Sequence, residues 1–189
     1  MTRKRLPVFD QRDDRDELLA EILRCGRPHR GLTLIAHLHL ETLEVLGVRR
    51  VRTPEPPPED AVVNYPLAKS MSPILRDIAT DMVRGRDWLG EDKGWRPPNT
   101  ELITIVCRDG DPVITHAETQ YFWGWRYANH CTMAFDSDVY AMTPSGWAGL
   151  IGGTGSTPIL GRDDPGPVDD ALIFPPLRED LMYPDDEFF

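Results

Sequence analysis

"ELITIVCRDGDPVITHAETQYFWGWRYANHCTMAFDSDVYAMT", Glu101 to Thr143, decides the fold class. Two runs of apolar and β-branched residues, "ELITIVCR" and "PVIT", flank Asp109-Gly110-Asp111. Asp-Gly between such runs signals a hairpin, because glycine takes the positive φ that tight hairpin turns require. The pattern therefore predicts a first hairpin over 101–115. Thr115 and Glu118 form an S/T-x-x-E capping box, which opens a helix through Tyr121, Phe122, Trp125 and Ala128, with Asn129 placed to stop it. "TMAF", "DSD" and "VYAMT" predict a second hairpin over 132–143. Hairpin, helix, hairpin implies a largely antiparallel sheet carrying about three packed helices, an α+β fold.

The elements upstream fit that class. Leu18, Leu19, Ile22 and Leu23 recur at helical spacing, acids fill the first turn and Gly26 can end the run, which predicts a helix over Asp14 to Cys25. In "RGLTLIAHLHLETLEVLG", Arg30 to Gly47, apolar residues alternate with Thr33, Ile35, His37, His39 and Glu41, which predicts a strand from Leu32 to Leu40 and a second from Val45 to Arg52. A helical spacing fits Leu40 to Leu46 equally well. "RTPEPPPED" cannot be regular structure, since proline lacks the amide donor, so 53–60 is an exposed linker. In "SMSPILRDIATDMVRGRDWLG", Ser72 suits an N-cap and Pro73 a first helical turn, with Ile74, Leu75, Ile78, Met82 and Val83 on one face. The organisation expected is an N-terminal arm over 1–13, one α+β domain over 14–157, and an acidic, partly extended tail over 158–189.

Composition narrows the function classes. A chain of 189 residues suits one domain of ordinary size. No apolar window is long enough to cross a bilayer, and the first residues carry charge without the apolar stretch of a signal peptide, so a cytoplasmic location is expected. Cys25, Cys107 and Cys131 are far apart with no Cys-x-x-Cys spacing, which suits buried, reduced thiols. Arginine outnumbers lysine 18 to 3, a bias of GC-rich bacterial genomes. The net charge is −10, and residues 162–189 hold nine acids against Arg162 and Arg178, so −7 belongs to the tail and −3 to residues 1–161. The body shows no basic stripe along the sequence, so direct nucleic-acid binding is not expected.

His37 and His39 share one side of a strand and could present two imidazoles to a transition metal, with Glu44 as the carboxylate ligand. The spacing of Gly31, His37-x-His39 and Glu44 resembles the first motif of the cupin family, which would imply a β-barrel with a metal at those residues. Val51 stands where that motif has glycine, and the second cupin motif is absent. His-x-His is also similar to the start of the metal site of JAB-type isopeptidases, with Arg50 at the position of their aspartate. Asp136-x-Asp138 resembles the metal-nucleotide element of some glycosyltransferases, though Asp-Ser-Asp is also ordinary turn chemistry. His130 and Cys131 are adjacent and so point apart, which is poor geometry for a base and its nucleophile. "GGTGST", Gly152 to Thr157, lacks the lysine of a phosphate loop and suits a flexible connector.

Two features suit a protein interface. Trp123 and Tyr127 lie off the main stripe of their helix beside Arg126, residue types that favour interfaces. The tail embeds Phe174, Tyr183, Phe188 and Phe189 among acids, a composition suited to docking by charge and aromatic contact. It is similar in general form to the acidic, Phe-terminated tails of bacterial single-stranded-DNA-binding proteins. The function expected is a non-catalytic protein-binding or regulatory module without a cofactor, such as an acidic inhibitor or immunity-type protein facing a basic partner. The alternatives are a small metal-assisted enzyme with a His37/His39/Glu44 site and a small-ligand sensor domain.

Overall fold

The computed structural model describes residues 15–39, 42, 44–54, 65–83, 100–129, 135–151 and 153–156. Among them the elements run α1 (Arg15–Gly26), β1 (Leu32–His39), β2 (Val45–Arg52), α2 (Tyr65–Val83), β3 (Thr100–Cys107), α3 (His116–Asn129), β4 (Phe135–Thr143), β5 (Gly146–Gly149) and β6 (Thr154–Gly155). The strands form a six-stranded sheet in the order β2-β1-β3-β4-β5-β6. Every neighbouring pair is antiparallel except β3 and β4. The fold is thus α+β with a mostly antiparallel sheet. Among the described residues the sheet ends at β2 and β6 and does not close into the barrel implied by the cupin resemblance.

Alternation along the strands builds two cores. Leu34, Ala36 and Leu38 of β1, Ile103, Ile105 and Cys107 of β3, and Tyr140 and Met142 of β4 pack against Leu18, Leu19, Ile22 and Leu23 of α1. Each of those four α1 side chains contributes roughly 2 kcal/mol through burial. On the opposite face Ile35, Val51, Leu102, Val106 and Val139 meet Met71, Leu75 and Ile78 of α2 and Tyr121, Trp125 and Ala128 of α3. β1 and β3 are covered on both sides, so both are buried almost throughout, polar residues included.

Several local expectations change in detail. The turn at Asp109-Gly110 forms, with Gly110 at φ 95°, but "PVIT" does not return as a strand. Arg108 captures the loop instead: its guanidinium donates to the carbonyls of Asp109 and Asp111 and, at 2.8 Å, to the buried carboxylate of Glu118. Glu118 also accepts from the Thr115 amide and hydroxyl, each at 2.7 Å, so the predicted capping box forms and is extended by an ion pair. β3 therefore pairs with β1 and, through the α3 crossover, in parallel with β4. Asp136-Ser137-Asp138 is not a turn, because β4 runs through it; its hairpin partner is β5, reached by the turn at Pro144-Ser145.

α2 begins at Tyr65 rather than Ser72 and takes Pro73 into its interior. Proline at that position deprives the Lys69 carbonyl of its helical donor. The Ser72 hydroxyl donates to that carbonyl at 2.8 Å and replaces the missing bond. Gly26 is the last residue of α1, and the left-handed residue that ends the helix is Arg27, at φ 50°, whose amide bonds the Leu23 carbonyl. The absent side chain of Gly26 serves close packing: a Cβ there would lie 2.7 Å from Leu34 Cδ1 and 3.0 Å from Val48 Cγ1. No helix among the described residues is long and apolar enough to cross a membrane.

Candidate functional site

α3 turns Glu118, Tyr121, Trp125 and Ala128 inward and Trp123, Arg126 and Tyr127 outward, with Phe122 half-buried between them and packed against the core, because positions three and four apart share a face. Two contacts hold the inward side. The Trp125 indole N–H donates to Thr104 Oγ1 at 2.8 Å within the core. A Cβ on Gly124 would lie 2.9 Å from Leu75 Cδ1, so glycine there lets α2 approach. The outward side is ordered by its own chemistry. The Phe122 and Trp123 rings meet edge to face, with centroids 5.5 Å apart at 77°. The Arg126 guanidinium lies 5.6 Å from the Phe122 centroid and 5.8 Å from that of Trp123, within cation–π range of both. Tyr127, 37% exposed, extends the same face. Trp123, Arg126 and Tyr127 are therefore brought together, while Phe174, Tyr183, Phe188 and Phe189 lie outside the described residues.

The three residues of the metal reading are placed differently from one another. His37 is buried in β1 between Gly47 of β2 and Leu102 of β3, on the face covered by α2 and α3. His39 is half-buried at the strand end, where its Nδ1 accepts the Thr42 amide at 3.3 Å. Glu44 is exposed and contributes its backbone carbonyl to the His39 amide at 3.0 Å. Among the described residues no group of three or more His, Cys, Asp or Glu side chains is arranged to hold a metal ion. His130 and Cys131 lie outside the described residues.

A polar cluster that the sequence does not announce lies where β3 and β4 shift register. Between Leu102 and Thr104 of β3, β4 advances from Asp136 to Val139, one residue more than its partner. Such a bulge redirects side chains. Asp138 is thereby buried, and its Oδ1 accepts the Val139 amide at 2.8 Å and the Ile151 amide at 2.9 Å. Desolvation holds its carboxyl above the ordinary value, opposed by those amides, by Tyr140 and by the charge of Arg15. Burial likewise pushes the Tyr140 phenol up, with Asp138 adding to the effect. The Ile151 amide makes Asp138 a clasp for that residue, beside the Leu150 amide, which the Val139 carbonyl accepts at 2.9 Å.

The glycine stretch next to it is packed. Thr154–Gly155 pairs with β5, and a side chain on Gly155 would collide with the Trp147 ring, whose N–H donates to Asp16 of α1. The flexible connector expected there is in part a short strand. Of the thiols, Cys107 is buried and pushed up to about 12 by desolvation, while Cys25 is exposed, contrary to the expectation that the thiols are buried.

The structure also collects charge that sequence order disperses. Residues 24–54 hold six arginines, Arg24, Arg27, Arg30, Arg49, Arg50 and Arg52, against Glu41 and Glu44. Arg49, Arg50 and Arg52 lie on β2, an edge strand of the sheet, and α1, which carries Arg24 near its end, packs against that strand. The signal available in advance was "VRRVR", Val48 to Arg52, in a predicted strand. No protein-family model, no curated protein and no solved structure matches this chain.

Proposed function

We propose that the chain is a protein-binding module that meets its partner through the outer face of α3, with Trp123, Arg126 and Tyr127 as contacts and the acidic, aromatic tail as a second docking element. The observation that carries this reading is the Arg126 guanidinium stacked over Phe122 and Trp123 beside exposed Tyr127. Large aromatic groups and arginine lose little freedom on binding when their neighbours already order them, and they dominate measured interface energies. The net charge of −10 speeds encounter with a basic partner, as an inhibitor or immunity-type protein requires.

A photo-crosslinking residue at Tyr127, with the more exposed Val113 as control, identifies the partner in cells. Affinity for the purified partner is then measured by titration calorimetry. Trp123→Ala and Tyr127→Ala are each expected to weaken binding about tenfold or more, ~1.4 kcal/mol or above. Unchanged affinity in both variants defeats the reading.

A further inference from the structure

We propose that the arginine-bearing edge of the sheet at β2 is the docking surface for the chain's own acidic C-terminal segment, residues 163–189. This inference rests on charge and topology, does not depend on what α3 binds, and gives the tail its resting position, which it leaves when it docks on a partner. β2 is the last strand on its side, and no strand pairs with its outer edge among the described residues. Arg49 and Arg52 are exposed and alternate across that edge, Arg52 level with Leu32 and Arg49 level with Ile35. Close packing of Gly26 on Leu34 and Val48 brings the end of α1, with exposed Arg24 and Arg27, to this corner on the face of β2 that carries Arg52, while Arg49 points to the other face with Val51. Arg30 is held by Asp109 at 3.2 Å. The edge strand thus carries an exposed arginine on each face, with Arg24 and Arg27 on the α1 side, in a protein whose total charge is −10.

The occupant follows from chemistry and reach. Residues 163–189 hold nine acids against Arg178, and Phe174, Tyr183, Phe188 and Phe189 supply faces on which guanidinium groups stack. The chain leaves β6 at Ser156, at the opposite edge of the sheet from β2. Five strand spacings of about 4.8 Å amount to a crossing of about 24 Å. At about 3.3 Å per residue the acids from Asp169 onward lie beyond that distance, so the linker spans the sheet without strain. A tethered segment acts at a high effective concentration, which compensates for weak individual ion pairs. An edge strand covered in this way is also protected from pairing with other chains.

The test uses the full-length chain with Cys25 and Cys131 replaced by serine and a nitroxide on Tyr183→Cys. At low salt the amide NMR signals of Arg49 to Arg52 are expected to lose more than half their intensity, while those of α3 keep theirs. The loss should vanish near 0.5 M salt, where the Debye length falls to about 4 Å. It should vanish in Arg49→Glu/Arg52→Glu as well, and return when Asp185→Lys and Asp186→Lys are added to that variant. Absence of broadening at low salt overturns the proposal. Broadening that transfers to an unlabelled chain in a mixed sample also overturns it, with a second copy as the occupant. So do β2 signals that ignore the label but shift when duplex DNA or heparin is added, an outcome that makes the edge a site for an external polyanion.

Discussion

Asp138 is a carboxylate placed where its charge is disfavoured and its oxygen is needed. The bulge buries it, and Oδ1 binds the amides of Val139 and Ile151. Desolvation raises its native affinity for a proton above the unfolded value of 3.8, so between those two values the native state binds more protons than the unfolded chain. Stability contributed by the protonated form is fully present below the unfolded value and is lost as pH rises through the native one. Asp138→Asn keeps an oxygen for both amides and removes the titration. Urea denaturation from pH 3.5 to 7 is expected to show stability falling with pH for the parent relative to the variant, with the variant at least as stable at pH 7. A variant that is less stable by about 2 kcal/mol or more at pH 7 would show instead that the charge itself, through Arg15 or the amides, outweighs desolvation. Nothing in "FDSDVY" exposes this role beforehand: Asp-Ser-Asp has turn chemistry, and only the neighbouring strand, far earlier in the chain at Leu102 to Thr104, makes it a bulge.

At the scale of elements, what can be read from sequence is what is encoded locally. α1, the β1–β2 hairpin and the Thr115–Glu118 cap follow from residues within a few positions of one another. The hairpin after β3 is misread for a physical reason: Pro112 and the β-branched Val113 and Ile114 suit a strand, but Arg108 binds the loop carbonyls and Glu118, and this stabilises a direct entry into α3. α2 is longer than its signals suggest because proline usually marks a helix start, and here the Ser72 hydroxyl compensates for it mid-helix. That compensation is partial, since a side-chain bond on the flank cannot relieve the contact between the proline ring and the preceding turn. Pro73 is exposed, so Pro73→Ala removes the penalty without opening a cavity. It is expected to stabilise the protein by about 1–3 kcal/mol in thermal or chemical denaturation. A loss of stability would mean that the local geometry at 69–73 is required where Ala68, Met71 and Leu75 meet Gly124 of α3.

For the whole molecule, the two cores, the single parallel pair and the basic corner share one origin: contacts between segments far apart in the chain. Alternation in Leu32 to His39 tells which side chains share a face, but not that β3 lies beside it or that helices cover both faces. The same applies to the arginines of α1 and β2, which are diluted in a chain of net −10 and reach neighbouring elements only once α1 folds onto β2. The aromatic face of α3 is legible in part, because its outward residues lie within one helical turn, whereas the register that buries Asp138 is not. Topology then dictates a gradient of local stability. β1 and β3 are central and buried on both sides, whereas β2 has one paired edge and β6 is two residues long. An amide exchanges through the cheapest opening that exposes it, so central strands report global unfolding and edges report local fraying. Hydrogen exchange is therefore expected to be slowest at Ala36, Ile103 and Ile105 and fastest at Thr154 and Gly155, with α1 and α3 between. The Asp138→Asn exchange should leave the central amides in that order. If Thr154 and Gly155 instead exchange with the same free energy as Ile105, the glycine strap over Trp147 opens only with the whole fold, and the clasp at Asp138 joins β6 to the global cooperative unit.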